Sequence, residues 1–100
     1  MTLYSVTYSV DEDHTLAWLT YLKEIHNPLI MSTGLLVSCA VFRILFEVQN
    51  GAVSYNCQYH FAKREDYDTY REKYNLKHKY TMLKQFKGKF NDFNALLEEI

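Results

Sequence analysis

Glycine and proline are scarce in this chain, three and one in 100 residues, which excludes long flexible linkers and leaves a sequence able to fold along its whole length. Cysteine is scarce too, since Cys39 and Cys57 are the only two, and they exclude a disulfide framework. No window approaches the about eighteen consecutive apolar residues that a membrane helix needs. Met1 to Val10 have neither a basic start nor an unbroken apolar stretch, so a membrane span and a secretory leader are both unexpected. Charge of one sign is missing as well: 11 Lys and Arg stand against 12 Asp and Glu.

Chemical motifs are missing in the same way. There is no glycine-rich phosphate loop, no nucleophile elbow, and no H-E-x-x-H or C-x-x-C spacing. His14, His26, His60 and His78 fall on different elements with no histidine pair at i, i+4, so no metal and no cofactor are expected.

What the chain does have is aromatic weight. Nine tyrosines, six phenylalanines and one tryptophan suit β-strands and suit an oligomer interface. The length is that of one domain, residues 1–100, able to bury roughly two-thirds of the surface its unfolded chain would expose. Charge is unevenly spread, with nine Lys or Arg against four acids from Lys63 to Lys89. Such a patch attracts nucleic acid or another anion, or is simply the solvated face of a helix.

Asn50-Gly51 lies between two β-rich runs, Leu35 to Gln49 and Ala52 to Phe61. A two-residue Asn-Gly loop is the strongest short-range hairpin signal, because both residues tolerate positive φ. Counting back from it pairs Val48 with Val53, Phe46 with Tyr55, Ile44 with Cys57, Phe42 with Tyr59 and Ala40 with Phe61 on an apolar face. The other face pairs Glu47 with Ser54, Leu45 with Asn56, Arg43 with Gln58 and Val41 with His60. That register sends Cys39 and Cys57 to opposite faces, as two reduced thiols of a cytoplasmic protein.

Elsewhere Thr2 to Val10 alternates as a half-buried strand. Asp11, Glu12 and Asp13 supply a helix cap and acidic first turn. Leu16, Leu19, Leu22 or Lys23, and Ile25 or His26 follow at helical spacing, Trp18, Leu22, Ile25 and Leu29 continue the apolar stripe, and an end or kink is expected at Asn27-Pro28. Tyr67, Tyr70 and Tyr74 mark a second amphipathic helix with a stop at Asn75. Tyr80, Leu83 and Phe86 mark a shorter one ended by Gly88, and a last strand runs from Lys89 through Phe90, Phe93 and Leu97, although Ala95 to Ile100 also reads as helix.

The order β-α-β-β-α-β is that of a ferredoxin-like α+β domain, a four-stranded antiparallel sheet with its helices on one face. The apolar hairpin face should meet the helices. The other face, with Val41, Arg43, Leu45 and Gln58, is too apolar for water and too polar for a sealed core, which predicts a homodimer closed sheet on sheet.

Two candidate sites stand out. His26, just before a helix-breaking proline, has two roles open to it: a base or hydrogen-bonding group in a cleft, or a cap on the carbonyls that Pro28 frees. Arg43 opposite Gln58, with Asn56 and His60 nearby, either clamps a small carboxylate or phosphate or satisfies itself across a dimer interface. RNA binding is not expected, because Ala52 to Tyr59 lacks the basic-glycine-aromatic pattern of base-stacking strands.

Taken together, Tyr4-Ser5-Val6-Thr7, Trp18-Leu19, His26-Asn27-Pro28, Thr33-Gly34, the strand pair across Asn50-Gly51, Phe86-Lys87-Gly88-Lys89-Phe90 and Leu96-Leu97-Glu98 resemble the family catalogued as domain of unknown function 4286. That resemblance covers essentially the whole chain and implies a ferredoxin-like fold. The ending of the first helix is similar, more distantly, to that of the dimeric α/β barrels. This implies a barrel-like dimer and, with His26 at a matching position, a pocket between sheet and helices. The reading is a homodimeric binding or interaction module, non-catalytic or of unknown activity. Its alternative is a small cofactor-independent enzyme or small-anion sensor using His26, Arg43 and Gln58.

Overall fold

Strand β1 (Thr2–Asp11) buries every second side chain, with Thr2, Tyr4, Val6, Tyr8 and Val10 inward, as its period of two dictates. In the computed structural model, which describes residues 1–46 and 51–100, β1 lies at the centre of the sheet. The other strands are β2 (Ser38–Arg43), β3 (Ala52–Phe61) and β4 (Phe90–Glu98). Their order is β2-β3-β1-β4, antiparallel throughout, which is the ferredoxin-like arrangement. Residues 90–98 settle as a strand along β1, with Val10 opposite Phe90 and Thr2 opposite Glu98.

The helical layer consists of two rods. A short 3₁₀ turn (Glu12–His14), held by the Asp13 amide donating to the Asp11 carboxylate at 3.1 Å, leads into α1 (Thr15–Tyr21). A π-helical turn (Leu22–His26) then joins α1 to α2 (Asn27–Met31). The second rod repeats the design: α3 (Arg64–Tyr70), a π-helical turn (Arg71–Asn75) and α4 (Leu76–Phe86). Pro28 explains the first wide turn. Its ring crowds the carbonyl four residues back and it has no N–H to give, and widening the helix relieves both problems.

These turns overturn two expectations. A π turn inserts one residue, and at 3.6 residues per turn that rotates everything downstream by about 100°. Ile25 and Leu29 therefore face outward, and His26 and Ile30 are buried in their place. Asn75 is not a stop but the end of the second π turn. Beyond it Tyr80 and Leu83 are exposed, whereas His78, Met82 and Phe86 are buried.

The hairpin register is also corrected. Arg43 sits opposite Tyr55, Val41 opposite Cys57 and Cys39 opposite Tyr59, three residues away from the Asn50-Gly51 alignment. An odd shift turns every β2 side chain to the other face. Phe42 lies on the open face, 51% exposed, and Phe46 is exposed beyond the end of β2. Pairing with β1 already commits Tyr55, Cys57, Tyr59 and Phe61 to the helices. With Trp18 stacked 5.4 Å from Tyr55, the space beside them takes the smaller Cys39 and Val41 rather than phenylalanines. The two cysteines thus share a face, as free thiols. Gly51 has φ +80°, the left-handed value that a glycine-containing hairpin loop requires. The expected pairs of Glu47 and Val48, and Asn50 itself, lie outside the described residues.

Asn27 and Tyr59 tie the layers together, the Tyr59 hydroxyl donating to Asn27 Oδ1 at 2.7 Å inside the core.

Candidate functional site

The helix-facing rows of β1 and β4 diverge from α4 at one edge of the sheet and leave a cleft of about 210 Å³. Its lining is Tyr8, His26, Lys79, Met82, Leu83, Phe90, Asp92 and Asn94. Each arrives for a local reason. Phe90, Asp92 and Asn94 are alternate residues of β4, opposite Val10, Tyr8 and Val6. Lys79, Met82 and Leu83 lie on one side of α4, and His26 closes the first π turn.

His26 is 4% exposed and neutral. Burial, with a smaller push from neighbouring His78, brings its imidazole down to about 4 from the ordinary 6.5. His78, across the helix pair, is also held below its ordinary value by burial, and its Nδ1 is 2.8 Å from the Tyr70 hydroxyl. The two imidazoles approach edge to face, with centroids 6.3 Å apart. Burial pushes the Tyr8 phenol well above its ordinary range, so it stays protonated. On the β4 wall, Asn94 accepts from the Tyr4 hydroxyl through Oδ1 and donates to the Asp92 carboxylate at 3.2 Å.

Of the residues singled out in the sequence, His26 lies in this cleft and the others do not. Its side chain makes no capping hydrogen bond at the start of α2. Arg43 is exposed on the helix side of the sheet, beside Leu19, Lys23, Val41 and Tyr55. The clamp with Gln58 is therefore not formed. Gln58, Asn56 and His60 lie on the open face, where Gln58 donates to Asn56 Oδ1 at 3.1 Å. Asn56 in turn donates to the Ser5 and Thr7 hydroxyls at 2.9 and 3.0 Å. His60 lies 3.5 Å from the Met1 sulfur. The sequence reading missed Tyr8, Lys79, Asp92 and Asn94. The signal available for the last two was a pair of polar residues on the inward row of a strand.

Among the described residues no three of His, Cys, Asp and Glu converge to hold a metal ion, and no helix is long and apolar enough to cross a membrane.

The family of domain of unknown function DUF4286 matches residues 1–100, the entire chain. The chain belongs to the DUF4286 family. No curated protein sequence matches it. Solved structures similar to this DUF4286 protein include a putative antibiotic biosynthesis monooxygenase from Nitrosomonas europaea, with TM-score 0.73, 12% identity and coverage of 100% of this chain and 99% of that one. HapK from Hahella chejuensis aligns with TM-score 0.71 and 11% identity over 100% of this chain and 93% of its own. A dimeric ferredoxin-like protein from an uncultured marine organism aligns with TM-score 0.70 and 16% identity over 100% and 95%. At such identities the likeness is one of fold.

Proposed function

We propose that this protein is a homodimeric binding module that holds a small molecule in the cleft between α4 and β4. The observation that carries the reading is His26: a buried, neutral imidazole, without a hydrogen-bond partner among the described residues, on the wall of a cleft. Buried polar groups are ordinarily paired, and concave sites with a few convergent polar groups are where ligands bind.

The dimer is supported by the open face. One row across the sheet runs Phe42, Asn56, Thr7, Phe93, with Phe93 71% exposed at one edge and Phe42 at the other. Apolar margins around a polar strip that bonds to itself make a self-complementary surface of the kind a two-fold axis closes. The fold neighbour titled a dimeric ferredoxin-like protein accords with this. Sedimentation equilibrium tests the assembly, and a thermal-shift screen of neutral and ionised ring compounds tests the cleft, since a ligand of the native state raises Tm. A stable monomer at micromolar concentration, or no compound whose effect is lost in His26→Leu, counts against the module.

The second reading, a small cofactor-independent enzyme, has support from the neighbours titled antibiotic biosynthesis monooxygenase and from the same imidazole. Its basicity argues for binding instead. A general base works best when its pKa is near the working pH, and His26 sits at about 4.

A further inference from the structure

We propose that the ligand of this cleft is an uncharged ring compound bearing a hydroxyl group, a substituted phenol or cyclic alcohol, held between the Tyr8 hydroxyl and the His26 imidazole. The inference rests on the cleft reading above and names the chemistry it selects.

Tyr8 and His26 are each 4% exposed, and neither makes a side-chain hydrogen bond among the described residues. Nor is either sealed away. The wholly enclosed polar atoms without partners among the described residues belong to His14, Trp18 and Tyr21, whereas Tyr8 and His26 both open onto the same cleft. Left dry, each forfeits the hydrogen bonding it has in water.

The two groups are complementary. A protonated phenol donates, and a neutral imidazole offers a lone pair. A hydroxyl satisfies both at once, accepting from Tyr8 and donating to His26. A carboxylate can only accept, so it answers the ring's N–H but leaves the imidazole lone pair unpaired unless the ring takes up a proton.

Charge points the same way. His78 and Tyr21 from the helices stand beside His26, and Tyr8, Lys79 and Asp92 line the same cleft. The cleft lining carries one cation, Lys79, and one anion, Asp92, so it holds no excess positive charge for an anion, and burying an anion without a counter-charge is costly. Met82, Leu83 and Phe90 add apolar wall. A cavity of about 150 Å³ admits benzene, so the 210 Å³ here has room for a single substituted ring.

The test is an NMR titration of the wild-type protein with 4-methylphenol and, separately, 4-methylbenzoate, near neutral pH and about one unit lower. The phenol is expected to shift the His26, Met82 and Phe90 resonances, with a Kd that holds within about twofold between the two pH values because no proton is taken up. Tyr8→Phe, which keeps the ring and its packing, is expected to weaken binding by about tenfold, the equivalent of one hydrogen bond. Should the benzoate shift these residues while the phenol does not, or bind about tenfold tighter per unit fall in pH, the neutral-hydroxyl assignment is overturned and the cleft stands as a site for anions. If neither compound moves them, both the assignment and the cleft reading fall.

Discussion

His26 and His78 meet with their ring centroids 6.3 Å apart and their planes inclined at 73°. One closes the first π turn and the other follows the second. A uniform helical period would put Ile25 inward in the first rod, so the wide turns bring imidazoles to a seam where apolar side chains were expected.

That placement predicts acid sensitivity. An unfolded chain protonates His26 at its ordinary 6.5, whereas the native chain resists until about 4. His26 therefore contributes stability that is fully present above 6.5 and is lost as pH falls from there towards 4. The difference of 2.5 pH units corresponds to about 3 kcal/mol. Urea midpoints measured across this range should fall steeply for the wild type and more gently for His26→Leu. Equal slopes would mean that the imidazole is not held neutral.

The Tyr59 to Asn27 bond should matter more when half removed than when removed entirely. Tyr59→Phe leaves a buried acceptor without its donor and should cost about 1–3 kcal/mol. Adding Asn27→Leu should recover part of that loss. Chemical denaturation of the three variants measures the difference, and a fully additive double mutant would count against a direct bond.

If the open face is where two copies meet, Phe93→Arg places a charge within the closed interface on both sides of the two-fold axis. Sedimentation should give a monomer with an unchanged far-UV spectrum. A persistent dimer would move the interface elsewhere.

The two thiols should differ in reactivity although they share a face. Burial, chiefly, pushes the Cys57 thiol up to about 12 and the half-buried Cys39 upward to a lesser degree. Since the thiolate is the nucleophile, maleimide should label Cys39 slowly in the native protein and Cys57 only after unfolding. Fast labelling of Cys57 would contradict its place under the helices.

Much of the fold was legible because local signals and tertiary demands agree. The alternation of Tyr4, Val6, Tyr8 and Val10 is what a central strand needs. Asn50-Gly51 misled because the turn signal and the core disagree: β1 fixes the faces of β3, and the space left beside Trp18 selects Cys39 and Val41 over Phe42. The helical stripes misled because a period of 3.6 has no place for a surplus residue. Pro28 advertises the first wide turn, but no residue of similar force marks the second. His26 was found through that proline. Tyr8, Lys79, Asp92 and Asn94 were not, since it takes the antiparallel closure of β4 on β1 to bring the two ends of the chain to one cleft.

Strand β4 turns Asp92 and Asn94 to the cleft and Phe93, between them, to the opposite side. A lone edge ribbon is thereby answerable to two surfaces through neighbouring residues. If a guest in the cleft shifted β4 towards α4, Phe93 would move with it, and by thermodynamic reciprocity a companion on Phe93 would then alter the grip on the guest. Occupancy and pairing would then share a single mechanical lever.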